Sequence, residues 1–336
     1  MSHALWRNRD IKSYPLIKLT IPIMKLSSKK MEKNNPYLFS SLSNIGGTGA
    51  VLLNKIINPK TGSKLYAKLE SLNPGGSVKD RPALYMIKNA LEKGLLKDDM
   101  TIIDSSSGNT GISYAMIGAF LGIKVKIYAP SNMSEERKKV MQLFGSELIL
   151  TPAEESHDGA IKRSMEEYAR GGKDLYYMPD QYNNPCNPLA HYETTGVELL
   201  NQTGGNIDYF ATGIGTGGTI LGVGKRLKEY NDKIKVIAVV PDNEMHGIEG
   251  WKYNYSFNFD GFNHNKIIDD FIKVDTEGSY TMLKRIIKEE GLLCGFSSGA
   301  NVYGIYKLAG KYRGNFATVL PDTGSRYLST RVFADL

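Results

Sequence analysis

Short apolar runs alternate with longer amphipathic segments over most of the 336 residues. The short runs are typical of buried strands, and the longer segments have the spacing of helices that bury one face. Strands are predicted at 64–69, 101–104, 124–129, 147–150, 207–212, 235–240 and 317–320. Helices are predicted at 82–93, 110–121, 134–144, 158–170, 189–201, 220–230, 280–290 and 301–309. This alternation predicts the α/β fold class with parallel sheets.

Two segments interrupt the alternation. Residues 182–188 are rich in Asn and Pro, and residues 242–265 are rich in aromatic side chains and lack any periodicity. We expect the second segment to be an irregular loop. A chain of this length exceeds what one hydrophobic core usually supports, so we expect two domains or one large α/β unit.

Composition excludes several classes of protein. Hydrophobic residues make up 41% and charged residues 23% of the chain, which is typical of globular proteins and excludes disordered or collagen-like ones. No apolar run approaches the ~20 residues of a membrane-spanning helix, so no membrane association is expected. The two cysteines, Cys186 and Cys294, are far apart and lack metal-ligand spacing, so we expect no metal and a cytoplasmic location.

The net charge of +7 is concentrated at the start of the chain, where residues 1–34 hold eight basic and two acidic residues. A nucleic-acid-binding protein would carry such charge on a folded surface, so nucleic-acid binding is not expected. The segment lacks the apolar centre of a secretory signal. We expect a basic leader or tail, either a transit peptide or sequence foreign to the native protein.

Four turns between a predicted strand and a predicted helix are rich in small and polar residues, which is where α/β proteins bind ligands. The first turn, residues 73–81, contains Lys79 just before a helix. A helix N-terminus disfavours an ammonium group, so the neutral amine of Lys79 would be available as a nucleophile. An ordinary solvated lysine is an equally good interpretation of this turn alone.

The other three turns each have two interpretations. Residues 105–111 are suited either to binding an anion or to capping a helix. Residues 295–300 could be a ligand-binding turn or simply a second capped helix start. Residues 213–219 carry the glycine spacing of a dinucleotide site, and Asp242 follows the next strand, as in nicotinamide-dependent dehydrogenases. The same glycine turn could instead hold a single phosphate group.

Together the four turns resemble those of the pyridoxal-phosphate enzymes of the cysteine synthase and cystathionine β-synthase family, from about residue 41 to residue 333. The resemblance implies two three-layer α/β domains of the tryptophan synthase β-like fold, with the cofactor in the cleft between them. The larger domain would comprise residues 35–75 and 183–333, and the smaller, mobile one residues 76–182. The resemblance also implies a homodimer.

The resemblance assigns roles to individual residues. Lys79 would bind the cofactor, pyridoxal 5'-phosphate, as a Schiff base and then move the proton of the substrate's Cα. The other cofactor ligands would be Asn109, Gly215, Thr216, Gly217, Gly218, Thr219 and Ser297. The substrate carboxylate would be bound by Ser106, Ser107, Gly108, Asn109, Thr110 and Gln181.

The implied reaction is β-replacement on an L-amino acid through an α-aminoacrylate intermediate. A neutral hydroxyl at Ser297 would not keep the pyridine nitrogen protonated, which favours loss of the β-substituent over transamination. The first expectation is a cysteine synthase, which joins O-acetyl-L-serine and hydrogen sulfide. The alternative is an enzyme that consumes L-cysteine, releases hydrogen sulfide and forms L-serine or cystathionine. A dehydrogenase is a distant alternative, because it explains only one of the four turns.

Asp242 is the residue on which that alternative depends. Attack by water at the β-carbon needs a positioned base, whereas a thiol needs little help. Asp242 directly follows the strand that ends near Pro241, and a carboxylate there could activate water or a thiol. The competing interpretation is a solvated loop acid or a helix cap.

Overall fold

The computed structural model describes residues 41–57, 62–257, 259–330 and 333, so the predicted leader at residues 1–34 lies outside the described residues. The strands in this part of the chain are β1 (Ala50–Leu52), β2 (Lys64–Leu69), β3 (Thr101–Ser105), β4 (Lys124–Pro130), β5 (Glu147–Thr151), β6 (Tyr176–Tyr177), β7 (Tyr209–Gly213), β8 (Lys235–Pro241), β9 (Asp270–Val274) and β10 (Asn315–Leu320). The helices are α1 (Asp80–Glu92), α2 (Asn109–Leu121), α3 (Glu135–Leu143), α4 (Ser156–Leu175), α5 (Cys186–Ala190), α6 (Gly196–Thr203), α7 (Gly218–Tyr230), α8 (His264–Ile267), α9 (Thr276–Arg285) and α10 (Phe296–Ala309). The predicted α/β class is confirmed.

The strands form two separate sheets. The larger has the order β1-β2-β10-β7-β8-β9, and only the pairing of β1 with β2 is antiparallel. The smaller has the order β5-β4-β3-β6 and is entirely parallel. The division of the chain into domains at residues 76 and 182 stays a prediction.

Helices cover both faces of the larger sheet, because its central strands are apolar on both sides. In β8, Ile237 and Val239 join the core formed with α9 and α10. The alternate residues Val236, Ala238 and Val240 join a second core with α6 and α7. Successive side chains of a strand point to opposite faces, so one apolar run supplies two cores.

The smaller sheet is built in the same way. Ile102 of β3 packs in a core with residues of α1 and α2. Its neighbour Ile103 packs on the opposite face with Tyr128 of β4 and Ala160 of α4. Each sheet is therefore the middle layer of three.

Three of the described strands, β1, β6 and β9, were not predicted from the sequence. β1 and β6 are only three and two residues long, too short for a periodic signal. β9 lies at the edge of the larger sheet, and most of its residues are exposed. An edge strand with polar residues on its open side does not produce a continuous apolar run.

The helix predictions are correct in place and differ at their ends. The segment predicted as one helix at 189–201 is α5, a π-helical turn over His191–Thr195, and α6. Residues 295–300, predicted as a turn, contain the first five residues of α10, which begins at Phe296. α9 begins before the predicted residue 280 because the side chain of Asp275 caps it by accepting from the N–H of Gly278 at 2.6 Å.

Three further features follow from the described residues. Both cysteines are free and buried. No helix in this part of the chain is long and apolar enough to cross a membrane. Within the same part, no group of three or more His, Cys, Asp or Glu side chains is arranged to hold a metal ion.

Candidate active site

A cleft of about 920 Å³ lies where the carboxyl ends of strands from both sheets meet. The turn after β3 and the residues after β4 line one side of it. The loop after β7 and the residues after β10 line the other side. This is the position at which open α/β sheets bind ligands.

Lys79 lies in this cleft, directly before the first residue of α1. Burial lowers the pKa of its ammonium group to about 8, while the nearby carboxylate of Asp322 acts to raise it. A substantial fraction of the neutral amine is therefore present near neutral pH, and desolvation is the main cause. The amine has the protonation behaviour that a nucleophile and proton carrier needs.

Asn109 is held in place from two directions. Its Nδ2 donates to Oδ2 of Asp322 at 2.7 Å, and its Oδ1 accepts from the guanidinium of Arg326. Arg326 also donates to the carbonyl oxygen of Gly75, and Tyr327 donates to Asp322. These contacts tie the start of α2 to the turn that carries the reactive lysine.

The five predicted carboxylate ligands in the turn after β3 all line the cleft, namely Ser106, Ser107, Gly108, Asn109 and Thr110. Ser106 mainly shapes the turn, since its Oγ accepts from the N–H groups of Gly108 at 3.3 Å and Gly111 at 3.1 Å. Thr110 donates to Oε1 of Gln181 at 2.9 Å, and Gln181 also lines the cleft. The structure thus brings Gln181 to the turn, although 71 residues separate the hydrogen-bonded pair.

The glycine loop after β7 is packed closely from behind. A Cβ on Gly213 would lie 1.9 Å from the ring of Trp251, and one on Gly215 would lie 2.6 Å from a backbone carbonyl oxygen. Gly217 has a φ of +88°, a conformation that favours glycine. The loop leads into the N-terminus of α7, whose first N–H groups have no partners within the helix and attract anions.

Gly218 differs from its neighbours because it does not line the cleft. A Cβ there would lie 1.9 Å from Oδ1 of Asn187, so the glycine allows close packing behind the loop. Asn187 donates to Oγ1 of Thr216 at 3.0 Å and to the carbonyl oxygen of Gln181 at 2.6 Å. Thr216 and Thr219 line the cleft, as do Gly215 and Gly217.

A buried histidine lies behind Thr219. Nε2 of His191 is 3.4 Å from Oγ1 of Thr219, and its Nδ1 is 2.9 Å from Oγ1 of Thr195. Burial lowers the pKa of His191 to about 3, and the charge of Arg81 acts in the same direction. The imidazole is therefore neutral near pH 7 and supports the glycine loop without adding charge.

Ser297 lines the cleft at the second residue of α10. Its Oγ donates to the carbonyl oxygen of Glu249 at 3.4 Å, a long contact that leaves the hydroxyl oxygen free to accept. Ser297 thus places a neutral hydroxyl in the cleft, and its role at the pyridine nitrogen, which the family resemblance implies, stays a prediction.

Asp242 is the predicted catalytic residue that the structure does not bring to the cleft. It is exposed and does not belong to the cleft lining. Its N–H continues the pairing of β8 with β9 by donating to the carbonyl oxygen of Val274 at 3.0 Å, and its carboxylate accepts from Asn243 at 2.7 Å. The role of Asp242 as a base for water or a thiol stays a prediction, and the contacts described here are those of an exposed loop acid.

The segment after Asp242 does reach the cleft, through the covering loop, residues 246–252. Its lining residues are His246, Ile248, Glu249, Gly250, Trp251 and Lys252. Its end is anchored by the N–H of Lys252, which donates to the carbonyl oxygen of Ile214 at 3.0 Å. Glu249 forms an ion pair of 2.6 Å with Arg137 of α3, on the opposite side of the cleft. The loss of periodicity marks this segment in the sequence, but nothing local predicts its contacts.

A buried ion cluster supports α1 just after Lys79. Arg81 is 1% exposed and pairs with Glu70 at 2.7 Å and Glu198 at 2.6 Å. Lys68 pairs with Glu198 at 2.7 Å and donates to Oγ1 of Thr48 at 2.6 Å. The cluster joins β2, α1 and α6, so it fixes the direction in which α1 leaves the cleft.

These residues fit pyridoxal phosphate. The cofactor's aldehyde needs an amine, which Lys79 supplies. Its phosphate needs an anion site, and a Cβ at Gly215 or Gly217 would not fit in the glycine loop that forms one. Its ring needs polar partners at two positions, for which Asn109 and Ser297 are available.

The comparisons with known proteins agree with this arrangement. The family model described as pyridoxal-phosphate dependent enzyme matches residues 42–323. The cysteine synthase of Aquifex aeolicus is 47% identical over 277 residues, which cover 81% of this chain and 84% of the relative. The family match includes all four turns.

Two solved structures are similar over nearly the whole chain. O-acetylserine sulfhydrylase isoform 3 from Entamoeba histolytica has a TM-score of 0.82 and 33% identity, covering 93% of this chain and 95% of its own. An O-acetylserine-dependent cystathionine β-synthase from Helicobacter pylori has a TM-score of 0.79 and 34% identity. The match covers 90% of this chain and 100% of the Helicobacter pylori chain. The resemblance seen in the four turns is confirmed, and the chain belongs to the pyridoxal-phosphate-dependent enzyme family.

Proposed function

We propose that the protein is a cysteine synthase, which converts O-acetyl-L-serine and hydrogen sulfide into L-cysteine and acetate. The observation that carries the proposal is that one cleft joins a lysine of lowered pKa, a turn of small polar residues suited to a carboxylate and a glycine loop suited to a phosphate. The names of the relatives support the choice of substrates, since they include cysteine synthases and O-acetylserine-dependent enzymes.

Lys79 acts at the Cα of the substrate in this proposal. Pyridoxal phosphate, when bound, supplies an electron sink that weakens the bonds at Cα and allows the β-substituent to leave. Nζ of Lys79 takes the Cα proton and returns it once the sulfur has added to Cβ. A pKa of about 8 lets the same amine accept and donate this proton near neutral pH.

The turn before α2 orients the substrate. Its hydroxyl groups and the N–H groups at the helix start bind the carboxylate, and Gln181 completes the site from the side of Thr110. Fixing the carboxylate fixes the direction of the Cα–H bond toward Lys79. Hydrosulfide is largely ionised near neutral pH and is a strong nucleophile, so this reaction needs no base at the position of Asp242.

The choice of donor and acceptor is tested with the purified, cofactor-loaded enzyme. We expect O-acetyl-L-serine with sulfide to form L-cysteine at least about 10-fold faster than L-serine with sulfide, because acetate is the better leaving group. L-cysteine alone is expected to release little sulfide, since Asp242, the predicted base for water, lies outside the cleft lining. Rapid formation of sulfide and L-serine from L-cysteine would contradict the proposal and favour the cysteine-consuming alternative.

The glycine loop gives a prediction about the cofactor. Gly217→Ala places a Cβ at positive φ and 2.6 Å from the ring of Phe257, so we expect the loop to shift and the affinity for pyridoxal phosphate to fall by about 10-fold or more. Titration of the apoenzyme with pyridoxal phosphate, followed by fluorescence, measures this loss.

Gly94→Ala is the matched control for that experiment. Gly94 has a φ of +67° and has no atom within 4 Å of its would-be Cβ, and it follows α1 outside the cleft. It carries a similar backbone strain without contacting the site, so only the stability should fall. Equal cofactor affinities in the two variants would show that the glycine loop is not the phosphate site.

We also infer that the protein is a cytoplasmic homodimer. Two buried free cysteines without a disulfide are suited to a reducing compartment. The homodimer is supported by the family resemblance, and light scattering of the purified protein tests it by the mass of the particle.

A further inference from the structure

A hydrogen bond in the cleft joins two side chains, one of which has no role in the proposed reaction. Nε2 of His157, the second residue of α4, lies 2.9 Å from Oγ of Ser107. Ser107 belongs to the turn that is proposed to bind the substrate carboxylate, and both residues line the cleft. The carbonyl oxygen of Ser107 also accepts from Arg137 at 3.0 Å, so the serine is held on its backbone side as well.

The direction of this hydrogen bond decides what Ser107 can offer a ligand. A serine hydroxyl has one proton to donate and two lone pairs that accept. If Nε2 of His157 carries no proton, Ser107 donates to it and has no proton left for a carboxylate. If Nε2 carries a proton, the histidine donates and the hydroxyl proton of Ser107 is free to point into the cleft.

We propose that His157 is a positioning residue, which donates from Nε2 to Ser107 and thereby directs the hydroxyl proton of Ser107 to the carboxylate of the amino-acid substrate. The proposal rests on the proposed function in one respect, namely that Ser107 contacts that carboxylate. His157 itself touches neither the reacting atoms nor the cofactor in this account. It acts on substrate affinity and leaves the chemical step unchanged.

The charges around His157 predict how the effect depends on pH. Burial is the largest cause that lowers the pKa of the imidazole, and the positive charges of Arg137 and Lys252 act in the same direction. The negative charges of Asp158 and Glu249 act to raise it. These four groups belong to α3, α4 and the covering loop. The free enzyme therefore holds His157 mainly neutral at pH 7.

The sign of the pH effect follows from linkage. A carboxylate bound beside Ser107 favours the imidazolium form of His157, in which Nε2 always carries a proton and donates. Substrate binding therefore takes up a proton. The protonated form binds substrate more tightly. The KM for the amino acid should therefore rise as the pH rises through the pKa of His157 in the free enzyme, which lies below its ordinary value of 6.5.

Two substitutions separate this role from a structural one. His157→Ala removes the donor, and we expect the KM for O-acetyl-L-serine to rise about 10-fold while kcat changes less than twofold. His157→Gln places an amide N–H donor at the same reach at every pH. We expect this variant to keep a KM near that of the parent and to lose its pH dependence between about pH 5.5 and 8.

The Ser107→Ala background is the control. If His157 acts through the hydroxyl of Ser107, then His157→Ala should cause no further rise in KM once that hydroxyl is absent. An equal rise in both backgrounds would overturn the proposal. A fall in kcat at unchanged KM would also overturn it, because that result would make His157 an acid or base in the reaction itself.

A binding measurement keeps this proposal distinct from the proposed function. L-Alanine carries the carboxylate but has no leaving group, so calorimetry of its binding in two buffers of different ionisation enthalpy gives the protons taken up without turnover. The parent should take up more protons near pH 6 than His157→Gln. Equal proton uptake by the two proteins would refute the role of His157. If the parent takes up more protons but the enzyme forms no cysteine, only the proposed reaction would be refuted.

Discussion

Lys79→Ala is expected to reduce cysteine formation by about four orders of magnitude and to leave the fold intact. The variant loses the amine that joins the cofactor and also the group that carries the Cα proton, and proton transfer alone contributes about 10²–10⁴-fold. The fold should survive because, among the described residues, Lys79 belongs neither to the ion cluster nor to the apolar cores. Steady-state rates and the circular dichroism spectrum measure the two effects.

Lys138→Ala is the matched control for this experiment. Lys138 also lines the cleft, but it pairs with Glu135 at 2.7 Å on the surface of α3. Its removal should change turnover by less than about twofold, because its ammonium is paired with Glu135 and has no role in the proposed reaction. Pyridoxal phosphate should remain bound to Lys79→Ala through the glycine loop, although more weakly. Full activity of Lys79→Ala would exclude both the cofactor chemistry and the function proposed from it.

Arg81→Met is expected to lower the free energy of unfolding by about 3–5 kcal/mol. The side chain pairs with Glu70 and Glu198, and its removal leaves Glu70, which is 0% exposed, without its closest cation. Removing one partner of a buried ion cluster destabilises a protein by this amount, because the remaining charge stays desolvated and unpaired. Urea denaturation followed by tryptophan fluorescence measures the change.

Lys88→Met, on the same helix, provides the comparison. Lys88 is 3.7 Å from Glu92 and both side chains are partly exposed, so its substitution should change stability by less than about 1 kcal/mol.

Acid should lower the stability of the parent protein through the same ion cluster around Arg81. The pKa of Glu198 is lowered to about 2 by its hydrogen bonds and ion pairs with Arg81 and Lys68, against the effect of burial. Its contribution to stability is full above pH 4.5 and is lost as the pH falls toward 2. Equal stabilities of Arg81→Met and Lys88→Met would show that the cluster does not stabilise the fold.

The sequence predicts those parts of the site that depend on local structure. A glycine loop between an apolar strand and a helix is recognisable because β7, the loop and α7 are consecutive, and the same is true of β3, its serine turn and α2. Each turn contributes its polar groups at the end of a parallel strand, so their meeting in one cleft also follows from the fold class. These parts need no knowledge of distant contacts.

The parts that the sequence does not predict depend on distant contacts. Arg137 and Glu249 are 112 residues apart, and His157 and Ser107 are 50 apart, and nothing near either partner indicates the other. The position of Asp242 outside the cleft lining is a related case. The sequence shows that it follows a strand, but not that β9 continues the sheet there and holds Asp242 at its edge. The position of a side chain relative to a cleft depends on the next strand, which gave no periodic signal.

The place of β10 in the larger sheet affects how the protein is made on the ribosome. β10 is the last strand among the described residues, yet it lies between β2 and β7 and joins the two halves of that sheet. The smaller sheet, by contrast, uses a continuous stretch of chain and can form early in synthesis. Until residues 315–320 leave the exit tunnel, β2 has no partner except β1, and Asp322 cannot reach Asn109. The cleft is therefore assembled only after β10 has been synthesised, and a nascent chain truncated before β10 cannot capture the cofactor in its final geometry.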